Sequence, residues 1–155
     1  MPTATYIALA NATASGSQST ITFSSIPATY RDLVLVVEGS VPGASDIYVR
    51  FNGSSSDYSF VQMAGDGSSA SSSASSLSYA QISNQGSGRV MAIAHFMDYS
   101  ATDKHKTFLS RNTNNPVRAW ACRWANTAAI NQIAVTNSGG NFDSGFTMSL
   151  YGIVS

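Results

Sequence analysis

One cysteine, one glutamate and two lysines in 155 residues define what this sequence does without. A lone thiol, Cys122, makes no internal disulfide, so packing and hydrogen bonds must hold the fold. Charged residues are 10% of the chain, eight acidic against eight basic, where soluble proteins average about 25%. A balanced and sparse charge leaves no electrostatic footprint for nucleic acid and no basic face for anionic lipid. No apolar run approaches the roughly 20 residues of a membrane-spanning helix. Met1–Tyr6 has neither a charged nor an apolar leader segment, so no secretory signal is expected.

Helix formers are scarce as well. Leu, Met, Glu, Gln, Lys and Arg together number 25, against 47 Val, Ile, Thr, Phe, Tyr and Trp. No segment keeps a 3.6-residue period over three turns. Period-two alternation recurs instead, the mark of half-buried strands. In Asp46–Asn52, Ile47, Val49 and Phe51 share one face. In Arg118–Ala125, Arg118, Trp120, Cys122 and Trp124 share one face. Leu33–Val37 is continuously apolar and reads as a strand buried on both faces. Further strands are expected at Tyr6–Ala10, Thr20–Phe23, Tyr58–Met63, Ser78–Ile82, Val90–Phe96, Thr107–Arg111, Gln132–Thr136 and Thr147–Ile153.

Pro42-Gly43, Asn52-Gly53, Gly65-Asp66-Gly67, Asn114-Asn115-Pro116 and Gly139-Gly140 supply turns between them. About eleven short strands without helices predict an all-β, antiparallel sandwich, jelly-roll-like, folded as a single domain over residues 1–155. Most of what remains is neutral and polar: 27 Ser, 12 Thr and 10 Asn. Residues 65–76 hold seven Ser and nothing apolar larger than Ala, and read as a long exposed loop.

Catalytic chemistry finds no foothold. His95 and His105 are the only histidines; Asp98 follows His95 by three, a spacing common by chance. His105 sits in a mixed-charge turn, Asp103–Lys106. One Cys and two His in different segments supply no metal-ligand set, and no metal or cofactor is expected. Gly-x-Ser-x-Gly does not occur, Gly65-Asp66-Gly67 lacks the Gly-Lys-Ser/Thr of a phosphate loop, and no carboxylate pair is marked for glycoside hydrolysis. The chain is not expected to be an enzyme. Trp120 and Trp124, flanking Cys122, read as core rather than as sugar-stacking rings, because Cys is among the most buried residue types. Asn11-Ala12-Thr13 and Asn52-Gly53-Ser54 match the glycosylation sequon by chance in so Ser/Thr-rich a chain.

Ile21–Val37 resembles a segment of the small structural proteins of tailed bacteriophages. Those chains are similar in continuing to an Arg-Phe-Asn-Gly step and a Tyr-Ser, here Arg50-Phe51-Asn52-Gly53 and Tyr58-Ser59. A Ser/Gly-rich stretch follows, and the end resembles Met148–Ile153. Members occur as standalone small proteins and as modules of tail appendages. The resemblance implies a β-sandwich and no catalysis.

The role expected from it is a phage virion structural protein, a capsid decoration (cement) protein. It would sit on the outer surface of the capsid as a homotrimer at local three-fold positions, after synthesis in the bacterial host cytoplasm. Its partners would be the major capsid protein and itself, with no nucleic acid and no membrane. Residues 65–76 and Pro2–Tyr6, small and uncharged, are the candidates for reaching neighbours. The alternative is a small tail or receptor-binding module for host-surface glycan, with Tyr48, Tyr58, Tyr79, Tyr99 and Asp57 as candidate rim residues.

Overall fold

The computed structural model describes residues 4–43, 45–85, 88–113 and 116–154. It contains twelve strands and, among the described residues, no helix. Among the described residues, no helix is long and apolar enough to cross a membrane. The strands are β1 (Tyr6–Thr13), β2 (Thr20–Phe23), β3 (Asp32–Val41), β4 (Ser45–Phe51), β5 (Tyr58–Gly65), β6 (Ala70–Leu77), β7 (Ala80–Gln85), β8 (Gly88–Met97), β9 (Lys106–Asn112), β10 (Val117–Trp124), β11 (Ile133–Asn137) and β12 (Thr147–Ile153). They form an eight-stranded sheet, β1-β12-β3-β8-β9-β10-β5-β6, and a four-stranded sheet, β2-β11-β4-β7. Every pairing is antiparallel. The fold is the expected all-β, antiparallel, jelly-roll-like sandwich.

Alternation decides which side of each strand enters the core. Ile47, Val49 and Phe51 of β4 and Ile133 and Val135 of β11 point inward from the small sheet, all fully buried. Facing them are Leu33, Leu35 and Val37 of β3, Phe96 of β8, Phe108 of β9, and Trp120 and Trp124 of β10. The centre is aromatic. The Phe51 ring lies edge-on to Phe96 and to Phe108, with centroids 5.5 and 5.6 Å away, and Tyr58 stacks on Trp124 at 6.1 Å. Trp120 and Trp124 are therefore core residues, as their alternation with Cys122 predicts.

The Arg50–Gly53 step, Tyr58 and the last strand serve this packing. The Phe51 N–H donates to the Tyr58 hydroxyl at 2.8 Å. Asn52 holds a left-handed φ of 51°. Its side-chain oxygen accepts the N–H groups of Asn131 and Gln132, while its amide donates to the Ala129 carbonyl at 2.8 Å. Gly152 lies against the Tyr30 ring so closely that a Cβ there would overlap it.

Two expectations need correction. β3 is not buried on both faces: Leu33, Leu35 and Val37 are enclosed, but Val34 and Val36 are half-buried on the outer side. Nor are residues 65–76 a loop. The turn is confined to the Asp66–Ser69 region, and Ala70–Leu77 is strand β6, in unbroken register with β5 from Gly65↔Ala70 to Tyr58↔Leu77. Ser and Ala show no hydropathy alternation on a strand exposed on both faces, so the pattern is silent there. The expected turn at Asn114-Asn115-Pro116 falls between β9 and β10, with Asn114 and Asn115 outside the described residues.

Candidate functional site

The sheets leave two outer faces, and the larger one is unusual. Cross-strand register places Val34, His95, Leu109, Ala121, Val61 and Ala74 in one row across it. A second row runs Val36, Ile93, Arg111, Ala119, Met63 and Ser72. On an ordinary half-buried antiparallel sheet such rows are polar. Here they are mostly aliphatic, and Val61, Met63 and Leu109 are 53%, 65% and 53% exposed. The two rows, apart from Ala74 and Ser72, line a groove of about 640 Å³ that also takes in Tyr6. Exposed aliphatic side chains grouped in this way make the face a candidate contact surface.

One rim of the groove is charged. His95 Nε2 lies 3.2 Å from the Asp32 carboxylate, whose other oxygen accepts the Asp98 N–H at 2.8 Å. Arg31 Nε stands 3.9 Å from Asp32. The partner of His95 is therefore Asp32, 63 residues away in sequence, and not Asp98. The Asp98 side chain instead accepts from Lys104 Nζ at 3.2 Å. His105 is exposed in the neighbouring turn.

The outer face of the small sheet carries the other cluster. Tyr48 and Tyr79 stack with centroids 4.3 Å apart. The Arg50 guanidinium lies 5.2 Å from the Tyr48 ring centre, and its Nε donates to the Ser78 carbonyl at 3.1 Å. Burial pushes the Tyr79 hydroxyl above its ordinary pKa, and nearby Asp46 adds to the shift. Burial also raises Asp46, opposed by the Arg118 charge. The other proposed rim residues are elsewhere. Tyr58 and Tyr99 are core residues, Tyr99 donating to the Pro27 carbonyl. Asp57 sits in the turn before β5, accepting from the Ser56 hydroxyl at 2.6 Å.

Two further groups with reactive chemistry, Cys122 and Lys106, lie buried in the interior. Burial holds the Cys122 thiol up at about 12, far from thiolate chemistry at neutral pH. Among the described residues no group of three His, Cys, Asp or Glu is placed to hold a metal ion. The most unusual ionised group, Lys106, is buried, and its ammonium is used structurally. It donates to the carbonyls of Ala101, Lys104 and Thr127 at 2.5, 3.0 and 3.1 Å, tying two loops together. Burial lowers its pKa.

Of the two candidates for reaching neighbours, residues 65–76 form the exposed β5–β6 hairpin. In the Pro2–Tyr6 candidate, Pro2 and Thr3 lie outside the described residues, and Tyr6 opens β1 with its ring 57% exposed. The groove residues Val61, Met63 and Leu109 carry a signal in the sequence that alternation alone does not assign: each stands out of phase with the core residue Phe60 or Phe108 of its own strand, yet is apolar.

No family model matches the chain, and no curated protein matches it. Among solved structures it is similar to galectin LEC-6 of Caenorhabditis elegans, at 9% identity and a TM-score of 0.41, covering 94% of this chain and 96% of that one.

Proposed function

We propose that this chain is a structural protein of a phage virion: a capsid decoration, or cement, protein that bridges neighbouring major capsid subunits as a homotrimer on the outer surface of the head. The observation that supports the reading is the apolar outer face of the large sheet, where Val61, Met63 and Leu109 stand open to solvent in a chain with 10% charged residues. Burying such a surface on a partner releases roughly 25 cal/mol per Å² of apolar area removed from water. Small Ser and Ala side chains around it allow close approach at little entropic cost. They add no charge of their own to the contact, so Arg111 in the second row is the charge a partner must pair. The role needs no chemistry. A clamp that binds only the assembled, expanded lattice stabilises that state by mass action. A three-fold ring matches the junctions at which hexagonally arranged capsid subunits meet.

Particles lacking the protein are expected to release DNA at a lower temperature than complete ones, while infecting normally under mild conditions. Val61→Asp and Leu109→Asp are expected to fold but to leave expanded capsids undecorated. Particles that lack the protein, keep their heat resistance and no longer adsorb to cells would replace this reading with the second one. That second reading, a tail module for host-surface glycan, draws on the half-exposed Tyr48–Tyr79 pair beside Arg50 and Asp46, and glycan-array binding tests it directly.

A further inference from the structure

Among the described residues, the large sheet ends in β1 on one side and β6 on the other, each paired along one edge only. Natural sheets shield such edges with charge, proline, bulges or a covering segment. Both edge strands here are eight residues long, and their sixteen residues include no charged side chain and no proline. β6 is also free of bulges and exposed along almost its whole length on both faces.

Hydrogen bonds at the strand ends set the phase of the free backbone groups. Asp66 N–H donates to the Ser69 carbonyl at 3.2 Å, so strict antiparallel alternation turns the N–H and C=O of Ala70, Ser72, Ala74 and Ser76 away from β5. On β1, Val154 N–H to the Thr5 carbonyl and Ala14 N–H to the Phe146 carbonyl set the phase on either side of the bulge between Ala8 and Ala10. Tyr6, Ala8, Asn11 and Thr13 then face outward. The two edges thus offer matched lengths, matched numbers of free groups and no charge to repel.

Direction agrees as well. Eight strands in strict antiparallel alternation make β6 run opposite to β1. Setting β6 beside the β1 of a second, identically oriented copy therefore continues the antiparallel order.

We infer that β6 of one copy pairs with β1 of the next, joining the large sheets head to tail into a closed ring. A head-to-tail contact gives either a ring or an open fibre. The bulge at Leu9 adds local twist to the edge and bends successive sheets out of one plane, as closure requires. A closed ring leaves no open edge on the large sheets. The pairing stands on the sheet edges themselves; only the number three rests on the proposed place at a capsid three-fold position.

The test uses the purified full chain and two edge variants, Ala74→Pro on β6 and Ala8→Pro on β1. Proline at an outward-facing edge position removes no bond within the sheet but blocks an added strand. Light scattering is expected to give the parent three times the 16.3 kDa chain mass and each variant the chain mass alone, with unchanged circular dichroism. Mixing the two variants is expected to give a dimer and nothing larger, because each keeps the edge the other has lost. If either proline unfolds the chain, Ser72→Lys and Ala8→Lys carry the same mixing test through edge charge. A monomeric parent, a mixture that stays monomeric, or assembly abolished by the β6 variant but untouched by the β1 variant would each overturn the inference. Rings that fail to bind expanded capsids would sink the cement role and leave this interface standing; monomers that bind them would do the reverse.

Discussion

The hydroxyl of Tyr58 accepts the backbone N–H of Phe51 at 2.8 Å and faces the Ser54 carbonyl at 3.4 Å. It closes the β4–β5 turn from inside the core, while its ring stacks on Trp124. Burial raises the Tyr58 pKa, so the hydroxyl is neutral and able both to accept and to donate. Tyr58→Phe keeps the ring and strands the Phe51 N–H in the core. An unpartnered buried donor costs about 1–3 kcal/mol, and urea denaturation should show a loss of that size with an unchanged m-value.

Trp120 is 1% exposed on the inner face of β10. Trp120→Ala is expected to destabilise by about 3–5 kcal/mol. A variant as stable as the parent in chemical denaturation would contradict the core assignment.

Lys106→Met should cost about 1–3 kcal/mol, because removing the ammonium leaves the three carbonyls it serves without that donor. The loss should appear in thermal unfolding and in faster amide exchange around Ala101 and Thr127, the two loops it joins.

The Asp66 carboxylate accepts the N–H groups of Ser68 and Ser69 at 2.8 and 2.7 Å and both their hydroxyls. Those bonds, the backbone ones first, hold its pKa well below the usual carboxylate range. A depressed carboxylate pKa means the hairpin tip is supported in full above the unfolded value of about 3.9, and loses that support as pH falls toward and through the folded value. Exchange protection of the Ser68 and Ser69 amides should decline over that acid range. In Asp66→Asn it should show no such acid transition.

Cys122 is 4% exposed with its thiol at about 12. Native protein at pH 8 is expected to leave a thiol-reactive dye unconsumed, and one equivalent should react after unfolding in guanidinium.

Eleven of the twelve strands are legible in the sequence: several alternate in hydropathy every second residue, as a strand half in oil and half in water imposes, while β3 shows as a continuous run of Val and Leu bounded by polar residues. Alternation likewise places Trp120, Trp124 and Cys122 on one inward face. β6 escaped because Ala and Ser satisfy both faces of an exposed strand equally; its conformation comes from the register with β5.

Alternation also says which residues share a face but not which strands are neighbours. The order β1-β12-β3-β8-β9-β10-β5-β6, the meeting of His95 with Asp32, and the gathering of Val34, Ile93, Leu109, Val61 and Met63 into one groove all join residues far apart in the chain. Composition and periodicity determined that this is a β-sandwich with aromatic strands in its core. The apolar outer face and the two open edges were decided only by tertiary pairing, because hydrogen bonding between distant strands sets which outward side chains stand next to one another and which backbone groups are left without a neighbour.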